Sequence, residues 1–118
     1  MILTNEKMFE SVLILAAADE RGMLGYAIAR NRRLLSQEVQ EYSRTRDQLL
    51  EEYGRDVGGG KYELQPENAA KFFAALKPYN ELTADVPVMQ IPADVFYSGN
   101  LTSGQMYALE WMVKDDDR

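Results

Sequence analysis

The chain has 118 residues, 46% of them hydrophobic and 27% charged, which is the composition of one ordinary globular domain burying a single core. It contains no cysteine and no histidine, so disulfides, thiol and imidazole catalysis, structural zinc and nearly all transition-metal sites fall away. A formal charge of −6 opposes general nucleic-acid binding, where a basic face supplies most of the affinity.

Leu3-Thr4-Asn5-Glu6-Lys7-Met8 opens the chain with Thr4 at an N-cap position and Leu3 and Met8 at the spacing of a hydrophobic staple. A helix is expected from about Asn5 to Asp19, broken by Gly22. The apolar run Val12 to Ala18 is too short to span a bilayer and follows acidic residues where a secretory signal would be basic, so no membrane segment is expected and the cytoplasm is the expected compartment.

The next stretch, Met23 to Tyr53, reads as one long amphipathic helix. Ile28, Leu35, Tyr42 and Leu49 recur every seventh position, flanked by Leu24, Val39 and Tyr53, with Arg, Gln and Glu between. The short turn at Gly22 forces an antiparallel hairpin that sets Glu10 near Arg33 and covers only the first half of the long helix. Gly54 stops that helix, Gly58-Gly59-Gly60 marks a turn, and Lys61 to Gln65 alternates like a strand. Pro66-Glu67 opens a third helix with Phe72, Phe73 and Leu76 on its apolar face, ended by Pro78 and able to return along the uncovered half. Val86 to Ile91 reads as a second strand, confined by Pro87 and Pro92 to a two-stranded ribbon with Lys61 to Gln65. Thr102 and Gln105 form a capping box, with Leu101 and Met106 as its staple, and start a last helix running to about Lys114. The expected fold is mainly α with a small β component: an antiparallel helical hairpin with one long helix, further helices packed on it, and a two-stranded ribbon, in a single domain.

No motif carries chemistry. Gly60-Lys61 lacks the earlier glycine and the Ser/Thr of a phosphate loop and stands in helix-loop-strand order. Asp115, Asp116 and Asp117 read as a solvated tail, Thr102 of the sequon Asn100-Leu101-Thr102 as a helix cap, and the acid pairs Glu51/Glu52 and Asp85/Asp94 have no nucleophile or oxyanion donor grouped with them. Neither an enzyme nor a cofactor is expected. What remains is charge order. Arg30, Arg32, Arg33, Arg44 and Arg46 make the first two-thirds of the long helix basic while Glu51 and Glu52 make its last turn acidic, against the helix dipole. These residues and Tyr42 are the candidate binding residues: for a protein partner, or for a second copy crossing antiparallel near Tyr42 with Arg30 and Arg33 beside Glu51 and Glu52. Surface ion pairs within the chain are the bland account of the same charges.

Leu3-Thr4, then Tyr26-Ala27-Ile28-Ala29-Arg30-Asn31 leading into the charged helix that ends Leu49-Leu50-Glu51-Glu52-Tyr53-Gly54, and finally Leu101-Thr102 with Ala108-Leu109-Glu110, resemble a family of small proteins of tailed phages and prophages of Gram-positive bacteria. The resemblance spans nearly the whole chain, with departures at Gly58 to Gly60 and at Gly104. That family carries no assigned activity, so the resemblance implies a phage origin, a location in the host cytoplasm or on the virion, and no catalytic residue. Two function classes follow as expectations: an accessory that binds other phage proteins in assembly or structure, or an anti-defence protein that blocks a host factor. Under the second, acidic charge would imitate nucleic acid toward a basic nuclease, or the arginines and tyrosines would hold a signalling nucleotide. The interruption of any carboxylate stripe by the five arginines favours the first.

Overall fold

The computed structural model describes residues 1–114. The acidic run Asp115 to Asp117 lies outside the described residues. In chain order the elements are β1 (Ile2–Thr4), α1 (Asn5–Ala17), α2 (Gly22–Glu38), α3 (Gln40–Tyr53), β2 (Gly54–Gly58), β3 (Lys61–Leu64), α4 (Pro66–Asn80), β4 (Thr83–Asp85), α5 (Ala93–Phe96) and α6 (Ser103–Ala108), then a 3-10 turn at Glu110–Met112. The fold is mainly helical, with two small antiparallel sheets, β1–β4 and β2–β3.

Both caps form where their chemistry places them. Thr4 Oγ1 accepts from the Lys7 N–H at 3.1 Å and starts α1, with Leu3 and Met8 both buried behind it. Thr102 Oγ1 accepts from Gln105 N–H at 3.1 Å while Gln105 Oε1 accepts from Thr102 N–H at 2.9 Å, completing the capping box of α6. That helix is short. It gives way after Ala108 to the 3-10 turn, whose Met112 is fully buried.

The long helix is two helices. Val39 leaves helical geometry (φ −93°, ψ 10°), a place where a β-branched side chain is least costly to release. The interruption is one residue wide: the Val39 N–H still reaches Leu35 O at 3.0 Å, and its carbonyl accepts from Ser43 at 2.8 Å. The inward row therefore crosses the break, running through Leu24, Ile28, Asn31, Leu35, Val39 and Tyr42, all buried. α1 packs on α2, and α4 returns along α3, so each half of the row has its own cover. Pro78 does not end α4, which continues to Asn80. Its last turn is held from both sides, since Asn5 Nδ2 donates to Tyr79 O at 3.0 Å and the Tyr42 hydroxyl donates to Asn80 Oδ1.

The strands pair differently from the sequence expectation. Lys61–Leu64 pairs with Gly54–Gly58, not with Val86 to Ile91. The helix stop and the strand start coincide at Gly54, whose extended backbone passes so close to α3 that a Cβ there would lie 2.5 Å from Leu50 O. Gly58, Gly59 and Gly60 turn the hairpin with φ of 98°, 61° and 74°, values that side-chain-bearing residues rarely adopt. Val86 to Ile91 forms no ladder, and its backbone turns at Pro87, where the Val88 N–H donates back to Val86 O at 2.8 Å. Asn31, fully buried on α2, takes the place of a neighbouring strand: its Nδ2 donates to Met89 O at 2.9 Å and its Oδ1 accepts from Met89 N–H at 2.7 Å. Ile91 N–H then donates to Met112 O at 2.9 Å, fastening the end of this segment to the C-terminal turn. Trp111 Nε1 donates to the buried Ser11 Oγ at 3.1 Å and ties that turn to α1.

The molecule is elongated, 49 × 26 × 22 Å with a radius of gyration of 16.5 Å, against about 13.5 Å for a compact chain of this length. The reason lies in where the core stops. From Leu3 to Tyr42 and from Phe72 to Met112 buried apolar side chains recur, whereas between Tyr42 and Phe72 none is buried. α3, the β2–β3 hairpin and the start of α4 thus form an arm beyond a body made by α1, α2, α5, α6 and the segment around Met89.

Candidate functional site

The eight residues singled out from sequence separate into two groups. Tyr42 and Arg46 point inward. Tyr42 is buried, with its ring edge-on to Phe9 at 5.5 Å, and burial raises its phenol above the ordinary value of 10.0, with Arg46 opposing and Glu6 adding to the shift. The Arg46 guanidinium sits 5.1 Å from the Phe9 ring centre and 5.9 Å from that of Phe72, bridging α1 and α4 as a cation over two aromatic faces. These two hold the fold at the root of the arm. A partner helix cannot cross at Tyr42, because α1 and α4 already cover it.

The other six are on the surface. Arg44 Nη1 meets Glu41 Oε1 at 2.7 Å within α3, both well exposed. Arg30, Arg32, Arg33, Glu51 and Glu52 are exposed, and among the described residues none of them has an oppositely charged group within 4.0 Å. The expected pairing of Glu10 with Arg33 does not form. Glu51 lies beside Tyr62 on β3, and its negative charge is the main cause that holds that phenol above its ordinary value.

The surface has a geometry that the apolar repeat concealed. Met23, Tyr26, Arg30, Arg33, Gln37, Gln40, Arg44, Asp47 and Glu51 follow one another at alternating steps of three and four, and every one is exposed. This outer row runs opposite the buried one and, like it, crosses the break at Val39. Met23 and Tyr26 are missing from the residues chosen on charge; they are 54% and 59% exposed, large apolar side chains at the head of a row of arginines. The heptad spacing alone, followed on the polar face instead of the apolar one, would have found them.

Two shallow clefts flank the outer row. One lies between α1 and the α2–α3 break, with Phe9, Val12, Leu13, Ser36, Val39 and Ser43 among its lining residues. The other lies between α3 and the hairpin, bounded by Gln48, Leu50, Glu51, Lys61 and Tyr62. Arg44 and Asp47 line both, so the clefts are neighbours along the same side of α3. Neither holds a buried titratable group. Among the described residues no three Asp or Glu side chains group as a cation site, and no helix is long and apolar enough to cross a membrane.

No protein-family model matches the chain, and no curated protein and no solved structure matches it.

Proposed function

We propose that this is a phage-encoded, non-enzymatic protein-binding accessory with a role in assembly or structure, and that the outer face of α2 and α3 is its binding surface. The observation that carries this reading is the outer row itself. Met23 and Tyr26 stand exposed beside Arg30, Arg32 and Arg33, which have no carboxylate within 4.0 Å among the described residues. Methionine, tyrosine and arginine are the residue types that protein interfaces concentrate, and an arginine left without a partner retains its whole bidentate capacity for an acidic one. The phage origin rests on the sequence resemblance.

The test is capture from phage-infected cells with the tagged native chain and with Arg30→Glu/Arg33→Glu. Recovery of virion or assembly proteins by the native chain, reduced roughly tenfold or more in the variant, supports the reading, since two interfacial charge reversals cost at least one tenfold step in affinity. Recovery of a host nuclease or immune protein instead replaces assembly with inhibition as the function. Equal recovery by both chains removes this face from the mechanism.

A further inference from the structure

The charges on the outer face are arranged about a centre. Taking 1.5 Å per residue along the helices, Arg33 and Asp47 both lie about 10 Å from Gln40, on opposite sides, and Arg30 and Glu51 both lie about 15 Å from it. Arg44, the cation nearest that centre, is already answered by Glu41 at 2.7 Å. The centre is otherwise neutral and small to medium in size: Ser36, Gln37, Gln40 and Ser43. A face with cations on one arm and carboxylates at equal distances on the other is complementary to itself under a two-fold rotation.

We propose that the partner of this face is a second copy of the chain, crossing antiparallel with the two-fold axis at Gln40. Arg33 of each chain then meets Asp47 of the other, and Arg30 meets Glu51. No like charges fall opposite one another along the row. The crossing point differs from Tyr42, which is buried, and coincides with the region where the inward side chains leave the outer surface free. The inference rests on the reading of this face as a protein-binding surface and names its occupant. Because the seam is charged and polar, the dimer depends on electrostatics and loosens as salt screens it.

Sedimentation of the native chain over a wide concentration range tests this, in low salt and in about 0.5 M salt, where the screening length falls to ~4 Å. Two surface variants accompany it, Arg30→Glu/Arg33→Glu and Asp47→Lys/Glu51→Lys, each checked for native helicity by circular dichroism. The native chain is expected to dimerise in low salt and to dissociate in high salt. Each variant alone is expected to be monomeric, and an equimolar mixture of the two is expected to form a heterodimer. A native chain that stays monomeric at millimolar concentration in low salt overturns the proposal. A native dimer whose variants also dimerise alone overturns it too, because the contact then lies elsewhere. The two readings fail separately: Asp47→Lys/Glu51→Lys breaks the self-contact but leaves Arg30 and Arg33 for another acidic partner. Capture from infected cells that depends on these arginines, by a chain that never dimerises, would keep the accessory function and discard the second copy.

Discussion

The body and the arm are built from similar helices but held by different means. In the body, Met8, Leu15, Leu35, Ile91, Phe96, Leu109 and Met112 are all but inaccessible, and the polar groups taken inside with them, Ser11 and Asn31, are hydrogen-bonded. In the arm, Leu49, Leu50, Tyr53 and Leu64 are only partly covered, and the β2–β3 hairpin rests on one helix. A two-stranded ribbon is marginal without such support. Cooperative stability therefore belongs to the body, and the arm is a satellite that opens at lower cost. The outer row spans both, with Arg30 and Arg33 on the body side and Arg44, Asp47 and Glu51 on the arm.

The largest effect expected from breaking this contrast is in the body. Phe96→Ala should destabilise by about 4 kcal/mol, the usual cost of emptying a fully buried aromatic site, and chemical denaturation should show it as a lowered midpoint with unchanged slope. Asn31→Ala should cost about 3 kcal/mol, because it leaves both the N–H and the carbonyl of Met89 without their partner. Should that variant lose less than ~1 kcal/mol, the segment around Met89 is held by its side chains and not by Asn31. Leu64→Ala in the arm should cost ~1 kcal/mol or less, since its side chain is only partly removed from water. Hydrogen exchange sharpens the same contrast, with β2 and β3 amides expected to exchange well before those of α1 and α2.

The smallest effect concerns pH, at the root of the arm. The Tyr42 phenol has a folded pKa above its ordinary value of 10.0, chiefly through burial, so its neutral form is the one the fold favours. Its contribution is fully present below pH 10.0 and is lost as pH rises through the folded pKa. Tyr42→Phe should cost ~1 kcal/mol at neutral pH by leaving Asn80 Oδ1 without its donor, and should make stability fall less steeply in alkali. Denaturation midpoints of the two chains on either side of pH 10.0 measure both.

Much of this fold is legible in the sequence where local chemistry decides it. Thr4 and Thr102 cap as their neighbours dictate, and the apolar spacing of Leu24 to Tyr42 identifies the inward face of α2 and the start of α3. What escapes is decided by partners distant along the chain. Val86 to Ile91 has the pattern of a strand, but a single asparagine 58 residues before Met89 supplies the hydrogen bonds that a neighbouring strand would. Gly54 to Gly58 reads as a stop and a turn because glycine and charge give no period, yet those residues are β2. Pro78 is a helix breaker by itself and is kept in α4 by Asn5 and Tyr42. The candidate surface divides in the same way. Charge picks out Arg30, Arg33 and Glu51, but charge alone does not separate the outward Arg44 from the inward Arg46, which two phenylalanines draw inside.

The bond from Trp111 to Ser11 joins positions 100 residues apart, and Met112 is among the most deeply buried side chains. During folding the Ser11 hydroxyl, on the inner side of α1, therefore gains its indole partner only when the 3-10 turn docks, and closing so long a loop makes that a late event. The α1–α2 hairpin joins near neighbours in sequence, so its contacts are the ones expected to form first and the docking of the C-terminal turn completes the body around them.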